Sequence, residues 1–472
     1  MTELSMGLTV EERAALATAY SAALSYRSNL PHQPVRPSVG LDEAVARFRQ
    51  PLSETGEPAP QVISGITAGA DGALHAMTAP GFFGYVLGGS HPVGVAADAL
   101  VSAWGQNAGS ASETPAITGM ERTLCDWLVD LFGLPQGTGA GLVTGASAAN
   151  FSGVLAARHA LLAAQGWDVE QDGLIGAPAI PVLIGAEAHS AVSAALRYSG
   201  LGAGRARRVA TDDQGRIDPA DFAEKLAQCE APPLVILQAG QINTGAFDPF
   251  EALIAQVHAR GGWVHVDGAF GLWAAAVPEL AHLCAGVARA DSWAVDLHKG
   301  LSAPFDAGVV LVRDRAALVA AMSARGAYLP SRNDDWEPSD STPELSRRAR
   351  GVPSYAILRH LGRSGLSALI LRHHQLAARI ACTVAAEPGL TVLNDVVFNQ
   401  VALCCGAGAE GDRQTEAVLR EVQARGRVYP SHGVWRGRQI IRISVSGYAT
   451  QAEHADLAAH EIITAWRGLH AG

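Results

Sequence analysis

The sequence predicts an α/β fold built on a mostly parallel, helix-covered β-sheet. In the middle of the chain, short β-rich runs alternate with alanine-rich stretches of helical periodicity, which is the pattern of strands joined by helical crossovers. Of the 472 residues, 48% are hydrophobic, so the chain can bury a large core. Because a single core stops growing well below this length, we expect two or three packed units.

Seven runs are predicted to form the strands of this sheet. They cover residues 141–145, 181–189, 206–211, 232–240, 262–270, 291–299 and 307–314. Ligands of such sheets bind beyond the carboxyl ends of the strands. Polar residues at the ends of these runs are therefore the first candidates for a functional site.

The segments on either side of the sheet differ from it in pattern. We expect an N-terminal helical segment over residues 1–88, a large domain over 89–351 and a small α+β domain over 352–472. The small domain is predicted from helical periodicity followed by the strand-like runs VFNQVALCC and RQIIRISVS. From Ala327 to Leu345 the chain is rich in Pro, Ser and Asp and has no periodicity, which predicts a long mobile loop.

Composition argues against several classes of function. The formal charge of −10 comes from acidic and basic residues mixed along the chain, without the basic run that a nucleic-acid or membrane surface requires. No apolar segment approaches the ~20 residues of a membrane helix, and no signal-peptide pattern opens the sequence. The six cysteines lack metal-type spacing. We expect a soluble, cytoplasmic protein with no metal.

The scarcity of lysine is informative. Of the 35 basic residues, 33 are arginine and only Lys225 and Lys299 are lysine. A lysine amine can lose its proton and attack a carbonyl, whereas arginine stays protonated. Lys225 lies in the amphipathic helical pattern DFAEKLAQ and is interpreted as a solvated residue. Lys299 ends a strand-like run, and either chance or a chemical role explains its retention.

Two strand ends carry residues that suit pyridoxal 5′-phosphate (PLP), which needs a lysine for its imine and an acid near its pyridine nitrogen. Asp267 ends the run GWVHVD, and Lys299 ends the next run, 32 positions later. An aspartate there would keep the nitrogen protonated, although a strand-end aspartate also caps turns. His298 could contact the phosphate or a substrate carboxylate, or be an ordinary polar residue.

Two further segments suit the phosphate and the ring of PLP. The stretch TGASAAN places Ala146 and Ser147 at a strand-to-helix turn, where backbone N–H groups and the helix dipole attract anions. A plain helix cap explains this stretch equally well. His189, at the end of PVLIGAEAH, could stack on the cofactor ring, or it could be structural.

These motifs resemble the group II PLP-dependent decarboxylases, the family of aromatic-amino-acid, histidine and glutamate decarboxylases. The resemblance extends from about Pro80 to Arg467, and HVDGAF together with the His-Lys pair of DLHKG is its most specific part. It implies PLP as cofactor, the aspartate-aminotransferase fold (PLP fold type I) and a homodimer with its active site at the subunit interface.

The resemblance also implies roles for individual residues. Lys299 looks like the Schiff-base lysine, Asp267 like the partner of the pyridinium nitrogen and His189 like the histidine that stacks on the ring. Ala146 and Ser147 match the phosphate cradle, and His298 matches the histidine beside the lysine. Ala269 matches the residue against the other ring face. Phe82 and Phe83 match the substrate pocket.

Three positions depart from the family pattern. The loop tyrosine that usually returns a proton after CO₂ leaves has its place near Ser341, and Tyr328 is the only tyrosine nearby. Gln241 and Ile242 replace a threonine-rich stretch, and Gly300 replaces a bulky residue after the lysine. These departures concern the product and the substrate more than the cofactor.

We therefore predict a PLP-dependent carboxy-lyase that converts an L-amino acid, with an aromatic or bulky side chain favoured, to the amine and CO₂. Other PLP outcomes stay open on this scaffold, namely oxidative deamination to an aldehyde, carbon–carbon lysis and transamination. A non-catalytic dimer is disfavoured by the retained lysine, and an NAD enzyme by the lack of a G-x-G-x-x-G turn after a strand.

Overall fold

The computed structural model of the chain describes residues 7–323 and 337–470. Its helices are α1 Val10–Asn29, α2 Leu41–Phe48, α3 Ala59–Ala70, α4 Pro92–Trp104, α5 Pro115–Leu131, α6 Ala146–Ala163, α7 Val169–Asp172, α8 Ser190–Tyr198, α9 Pro219–Ala227, α10 Phe250–His258, α11 Arg315–Met322, α12 Gly351–Ala385, α13 Gly408–Arg425 and α14 Ala452–Gly468. Its strands are β1 Phe82–Phe83, β2 Gly139–Val143, β3 Val182–Gly185, β4 Arg207–Val209, β5 Leu234–Gln238, β6 Trp263–Asp267, β7 Ser292–Asp296, β8 Gly308–Val312, β9 Leu390–Val392, β10 Gln400–Cys405, β11 Tyr429–Trp435 and β12 Arg438–Ser444.

The larger sheet has seven strands in the order β2-β8-β7-β6-β5-β3-β4. Strands β4, β3, β5, β6 and β7 run parallel, and β8 is antiparallel to both β2 and β7. Six of the seven predicted runs contain one of these strands and the run 141–145 overlaps β2, which confirms the mostly parallel α/β sheet. The prediction succeeded because the central strands are buried on both faces and therefore read as continuous apolar runs.

The smaller sheet has the order β1-β11-β12-β10-β9. The sequence predicted β10 and β12, but it did not indicate β1, β9 or β11. Strand β1 has two residues, β9 has three, and β11 contains a proline and a glycine, so none of them shows a strand pattern. Because β1 pairs with β11, the segment before residue 89 contributes a strand to this sheet.

Part of the predicted mobile loop is ordered and buried. A 3₁₀ turn covers Pro338–Asp340, and Ser341 is only 1% exposed. A Cβ on Gly141 of β2 would lie 1.9 Å from the Ser341 carbonyl oxygen, so this segment packs directly on the large sheet. Residues 337–345 form a loop as predicted, apart from this 3₁₀ turn, but the burial of residues 338–342 argues against a freely mobile segment there. Residues 327–336, which include Tyr328, lie outside the described residues.

Within residues 7–323 and 337–470, no helix is long and apolar enough to cross a membrane.

A buried histidine connects the strands and the helix that form the site. His265 on β6 is fully buried, with Nδ1 2.8 Å from the Ser292 hydroxyl of β7 and Nε2 2.8 Å from Oδ1 of Asn150 in α6. Burial lowers the pKa of His265 to about 3. A Cβ on Gly153 would lie 2.5 Å from the imidazole, so only glycine allows α6 this close to the strand. His265 thus positions Asp267, two residues further along β6.

We expect His265 to make the fold sensitive to acid. Its folded-state pKa lies below the ~6.5 of an unfolded histidine, so the unfolded chain gains a proton that the folded chain does not bind. The free energy of unfolding therefore decreases as the pH falls from about 6.5 toward 3, by on the order of 2 kcal/mol at pH 5. Urea unfolding at pH 7 and pH 5 should show a smaller decrease in the free energy of unfolding for His265→Asn than for the wild-type chain. An equivalent variant of the exposed His282 should keep the wild-type loss, and an unchanged loss in His265→Asn would contradict this explanation.

Candidate active site

Strand ends and one helix start bring the predicted residues together. Asp267 ends β6, while Lys299 and His298 follow the end of β7. The Lys299 Nζ atom lies 2.8 Å from Oδ2 of Asp296, and His298 Nε2 lies 3.4 Å from Oδ1 of the same residue. Asp296 is 3% exposed, so these groups meet in a mostly buried cluster.

Asp267 is a buried acid with few hydrogen-bond donors. The Ala269 N–H donates to its Oδ1 at 3.2 Å. Burial raises the pKa of Asp267, while the charges of His189 and Lys299 act in the opposite direction. A carboxylate in this position is stabilised by a nearby cation, because desolvation otherwise favours its neutral form.

His189 precedes helix α8 and caps it. Its Nδ1 accepts a hydrogen bond from the Ala191 N–H at 3.2 Å, which leaves Nε2 to carry the proton of the neutral ring. Partial desolvation lowers the pKa of His189, and the charges of Lys299 and Arg442 lower it further against the effect of Asp267. The ring is therefore neutral at pH 7, and the residue remains accessible to solvent.

Helix α6 begins beside this cluster, with Ala146 buried at an N-terminus that attracts anions. Gly145 precedes it and has no side chain that could cap the helix. The Ala146 N–H donates to Oδ1 of Asp296 at 2.5 Å, and Ser147 is exposed on the first turn. A carboxylate oxygen thus already lies where a phosphate oxygen would be held by the helix dipole.

Two charged residues of this cluster were not predicted from the sequence. Asp296 was interpreted as part of a strand, although its place three residues before Lys299 could have indicated a role. Arg442 lies on β12 of the small sheet, and its Nε atom is buried without a hydrogen-bond partner among the described residues. Desolvation lowers the pKa of Arg442, and its charge reaches His189. No local sequence pattern distinguished this arginine from the 32 others.

The departures at Gly300 and Gln241 have structural explanations. A Cβ on Gly300 would lie 2.4 Å from Cδ1 of Trp273, whose indole N–H donates to the Asp296 carbonyl at 3.1 Å. Trp273 therefore fills the space beside the lysine that a bulky residue would need. The Gln241 Oε1 accepts the N–H groups of Asn243 at 2.6 Å and Thr244 at 3.0 Å, which closes the turn after β5.

Phe82 and Phe83 do not line an open pocket. Strand β1 buries Phe82 against a cluster that includes Leu30 and Val35, and it buries Phe83 in the core of the small sheet. Both side chains are at most 2% exposed, and the Phe82 ring stacks on that of Tyr429 with centroids 5.5 Å apart, so their assignment to a substrate pocket stays a prediction. The accessible aromatic residue of this segment is Tyr85, which is 49% exposed and whose hydroxyl lies 3.5 Å from that of Tyr429.

The described residues fit PLP. A lysine amine, a buried carboxylate and a helix N-terminus that already holds an anion lie together, and these match the aldehyde, the pyridine nitrogen and the phosphate. Ala269 lies beside Asp267, to which its N–H donates. His189 lies close enough to Asp267 and Lys299 for their charges to shift its pKa.

Comparisons with known proteins agree with this geometry. The model of the pyridoxal-dependent decarboxylase conserved domain matches residues 44–405. Tryptophan decarboxylase 1 of Oryza sativa subsp. japonica is 29% identical over 81% of this chain and 79% of its own length, and phenylacetaldehyde synthase of Arabidopsis thaliana is 26% identical over 79% of each. The crystal structure of Oryza sativa TDC with PLP and tryptamine has the same fold, with a TM-score of 0.91, 23% identity and coverage of 98% of this chain and 99% of that one.

Proposed function

The chain belongs to the pyridoxal-dependent decarboxylase family, and we propose that it removes CO₂ from an aromatic or similarly bulky L-amino acid to leave the amine. It is a PLP-dependent carboxy-lyase of fold type I. The observation that carries the proposal is the cluster of Lys299, Asp267 and His189 at the N-terminus of α6. When bound, PLP supplies an electron sink that stabilises the negative charge left on the α-carbon.

The cofactor would be held at both ends. Lys299 would bind the aldehyde carbon through Nζ, and the N–H groups of Ala146 and Ser147 would bind the phosphate together with His298. Asp267 would accept a hydrogen bond from the protonated pyridine nitrogen, a cation that compensates its burial. His189 and Ala269 would pack against opposite faces of the ring.

His189 is suited to hold and return a proton. Its neutral ring carries the proton on Nε2, because Nδ1 is occupied by the Ala191 N–H. The lowered pKa of His189 belongs to its imidazolium form, so the neutral ring would take up a second proton from solvent before returning one to the carbon that has lost CO₂. Lys299 is the second candidate for this transfer, since its amine lies in the same cluster.

The substrate class is inferred from the pocket and the relatives. Tyr85 and Tyr429 place aromatic rings 6.4 Å apart, and Arg442 lies near Tyr85. An aromatic side chain packs well on such rings, and the guanidinium attracts the carboxylate of an amino acid. Relatives named for tryptophan, tyrosine and aromatic-L-amino-acid decarboxylation support this inference.

The alternative product is the aldehyde. Two relatives are phenylacetaldehyde synthases, at 26% and 24% identity. Ser341 stands where the family pattern has a proton-returning tyrosine, and a serine hydroxyl is a weaker acid than a phenol. Product analysis separates the outcomes, because a decarboxylase releases amine and CO₂, whereas the alternative consumes O₂ and releases aldehyde, CO₂, ammonia and hydrogen peroxide in place of the amine.

Lys299 provides the direct test of the proposed function. Borohydride reduction of the PLP-loaded protein should place one pyridoxyl group on Lys299, and Lys299→Ala should abolish both this adduct and CO₂ release. Lys225 is a matched control because it is the only other lysine and pairs with Asp221 at 2.6 Å on α9. Lys225→Ala should keep the adduct and the activity. An adduct on Lys225 alone, or no adduct, would refute the proposal.

Arg442 is expected to control substrate binding. Arg442→Gln removes a charge-assisted hydrogen bond to the carboxylate, so KM should rise roughly tenfold to a hundredfold. Arg438 on the same strand is the control, since its Nε is already bound to Asp412 at 2.9 Å. Arg438→Gln should leave KM within about twofold of the wild-type value. Equal effects of both variants on steady-state kinetics would argue against a carboxylate contact at Arg442.

We also propose that the chain is a homodimer in the cytoplasm. Leu16, Tyr20 and Leu24 form an exposed apolar stripe at four-residue spacing on α1, and none of the residues of α1 is buried. Beside the site, Phe305 is 58% exposed although its ring lies 4.4 Å from that of His298. A second copy that covers these side chains would also close the site.

Sedimentation velocity tests the dimer. The wild-type chain should sediment as a dimer, and Leu24→Glu should shift it toward the monomer because a charge cannot be buried unpaired at low cost. Ile175→Glu, at a site 95% exposed, is the control and should stay dimeric. A wild-type monomer at micromolar concentration would contradict the proposal.

A further inference from the structure

Asp296 binds the same groups that the cofactor needs. Its Oδ1 accepts the Ala146 N–H at 2.5 Å and lies 3.4 Å from His298 Nε2, and its Oδ2 lies 2.8 Å from Lys299 Nζ. One carboxylate therefore connects the N-terminus of α6 to the lysine. The proposed phosphate and aldehyde sites are both occupied by it.

The backbone of Asp296 is firmly held, so only its side chain is free to turn. The Trp273 indole N–H donates to the carbonyl oxygen of Asp296 at 3.1 Å, and Asp296 pairs with Gly308 in the sheet. A Cβ on Gly145 would lie 3.0 Å from Oδ1, which shows how closely the helix start approaches the carboxylate. Among the residues that the structure describes, the carboxylate itself is held by its contacts with Ala146, His298 and Lys299.

A phosphate that binds the N-terminus of α6 would meet this carboxylate. Two anions cannot accept the same N–H, and like charges at close range in a buried cluster repel each other. The other charged groups that face Asp296 are Lys299, His298, His189 and Asp267. Of these, Asp267 adds to the negative charge, so the single lysine cannot neutralise both carboxylates and a phosphate dianion.

We propose that Asp296 is an internal anion that competes with the phosphate of PLP for the N-terminus of α6 and thereby weakens cofactor binding. The inference rests on the proposed function, because it assumes that this helix start is the phosphate site. In the absence of cofactor, Asp296 keeps the helix N–H and the lysine amine satisfied. When the phosphate binds, the carboxylate gives up the Ala146 N–H, and this exchange makes the cofactor easier to release.

The test compares two aldehydes on the full-length chain after removal of cofactor. Pyridoxal reacts with Lys299 as PLP does but lacks the phosphate, so the ratio of the two dissociation constants isolates the phosphate contribution. Asp296→Asn removes the charge and keeps the shape. We expect PLP to bind the variant roughly tenfold more tightly or better, while pyridoxal affinity changes far less. Asp306→Asn is the control, because Asp306 lies near His298 but pairs with Arg350 at 3.2 Å. The ratio of the PLP and pyridoxal dissociation constants should be the same in this variant as in the wild type.

An unchanged ratio in Asp296→Asn, or a weaker binding of PLP alone, would overturn the proposal. Asp296→Ser provides a second neutral variant if the asparagine chain fails to fold, as judged by circular dichroism. Calorimetric titration with inorganic phosphate reads the same competition without any imine, and the neutral variant should bind phosphate more tightly. If neither aldehyde forms an adduct on any variant, the proposed function fails, while the phosphate titration still decides the role of Asp296.

Discussion

The site depends on a carboxylate that is buried at the end of a central strand. Asp267 is 6% exposed and receives one backbone hydrogen bond, from Ala269. Burial raises its pKa, so its ionised form needs a positive partner close by. Lys299 and a protonated pyridine ring are the partners that the site can offer. In the proposed enzyme the negative charge of Asp267 keeps the pyridine nitrogen protonated and the cofactor ring electron-deficient.

The large sheet is what makes this arrangement possible. Because β5, β6 and β7 are parallel neighbours, their carboxyl ends lie side by side and bring Gln241, Asp267 and Lys299 to one edge. Helix α6 crosses the sheet so that its N-terminus faces the same edge, and the His265 network fixes its distance from β6. Glycine at position 153 permits that close approach. Packing thus determines the geometry on which the proposed chemistry relies.

Much of this could be predicted from the sequence, for identifiable reasons. Strands buried on both faces read as apolar runs, and the residues at their ends follow from the geometry of parallel sheets. The short strand β1 was not predicted, because two residues carry no strand pattern. Phe82 and Phe83 were assigned to a pocket from the family resemblance alone, and the sequence did not indicate that both pack in hydrophobic clusters. Asp296 was interpreted only as part of a strand, although it lies three residues before Lys299. Arg442 was missed because its importance comes from contacts between distant segments. Sequence spacing carries no information on such contacts.

The pairing of Asp267 with the cofactor is the central claim, and nitrogen NMR of the enzyme loaded with ring-¹⁵N-labelled PLP tests it most directly. We predict the chemical shift of a protonated pyridine nitrogen that persists well above the pH at which free PLP loses this proton, and its loss in Asp267→Ala. The shift of a neutral pyridine in the wild-type enzyme at pH 7 would contradict the claim.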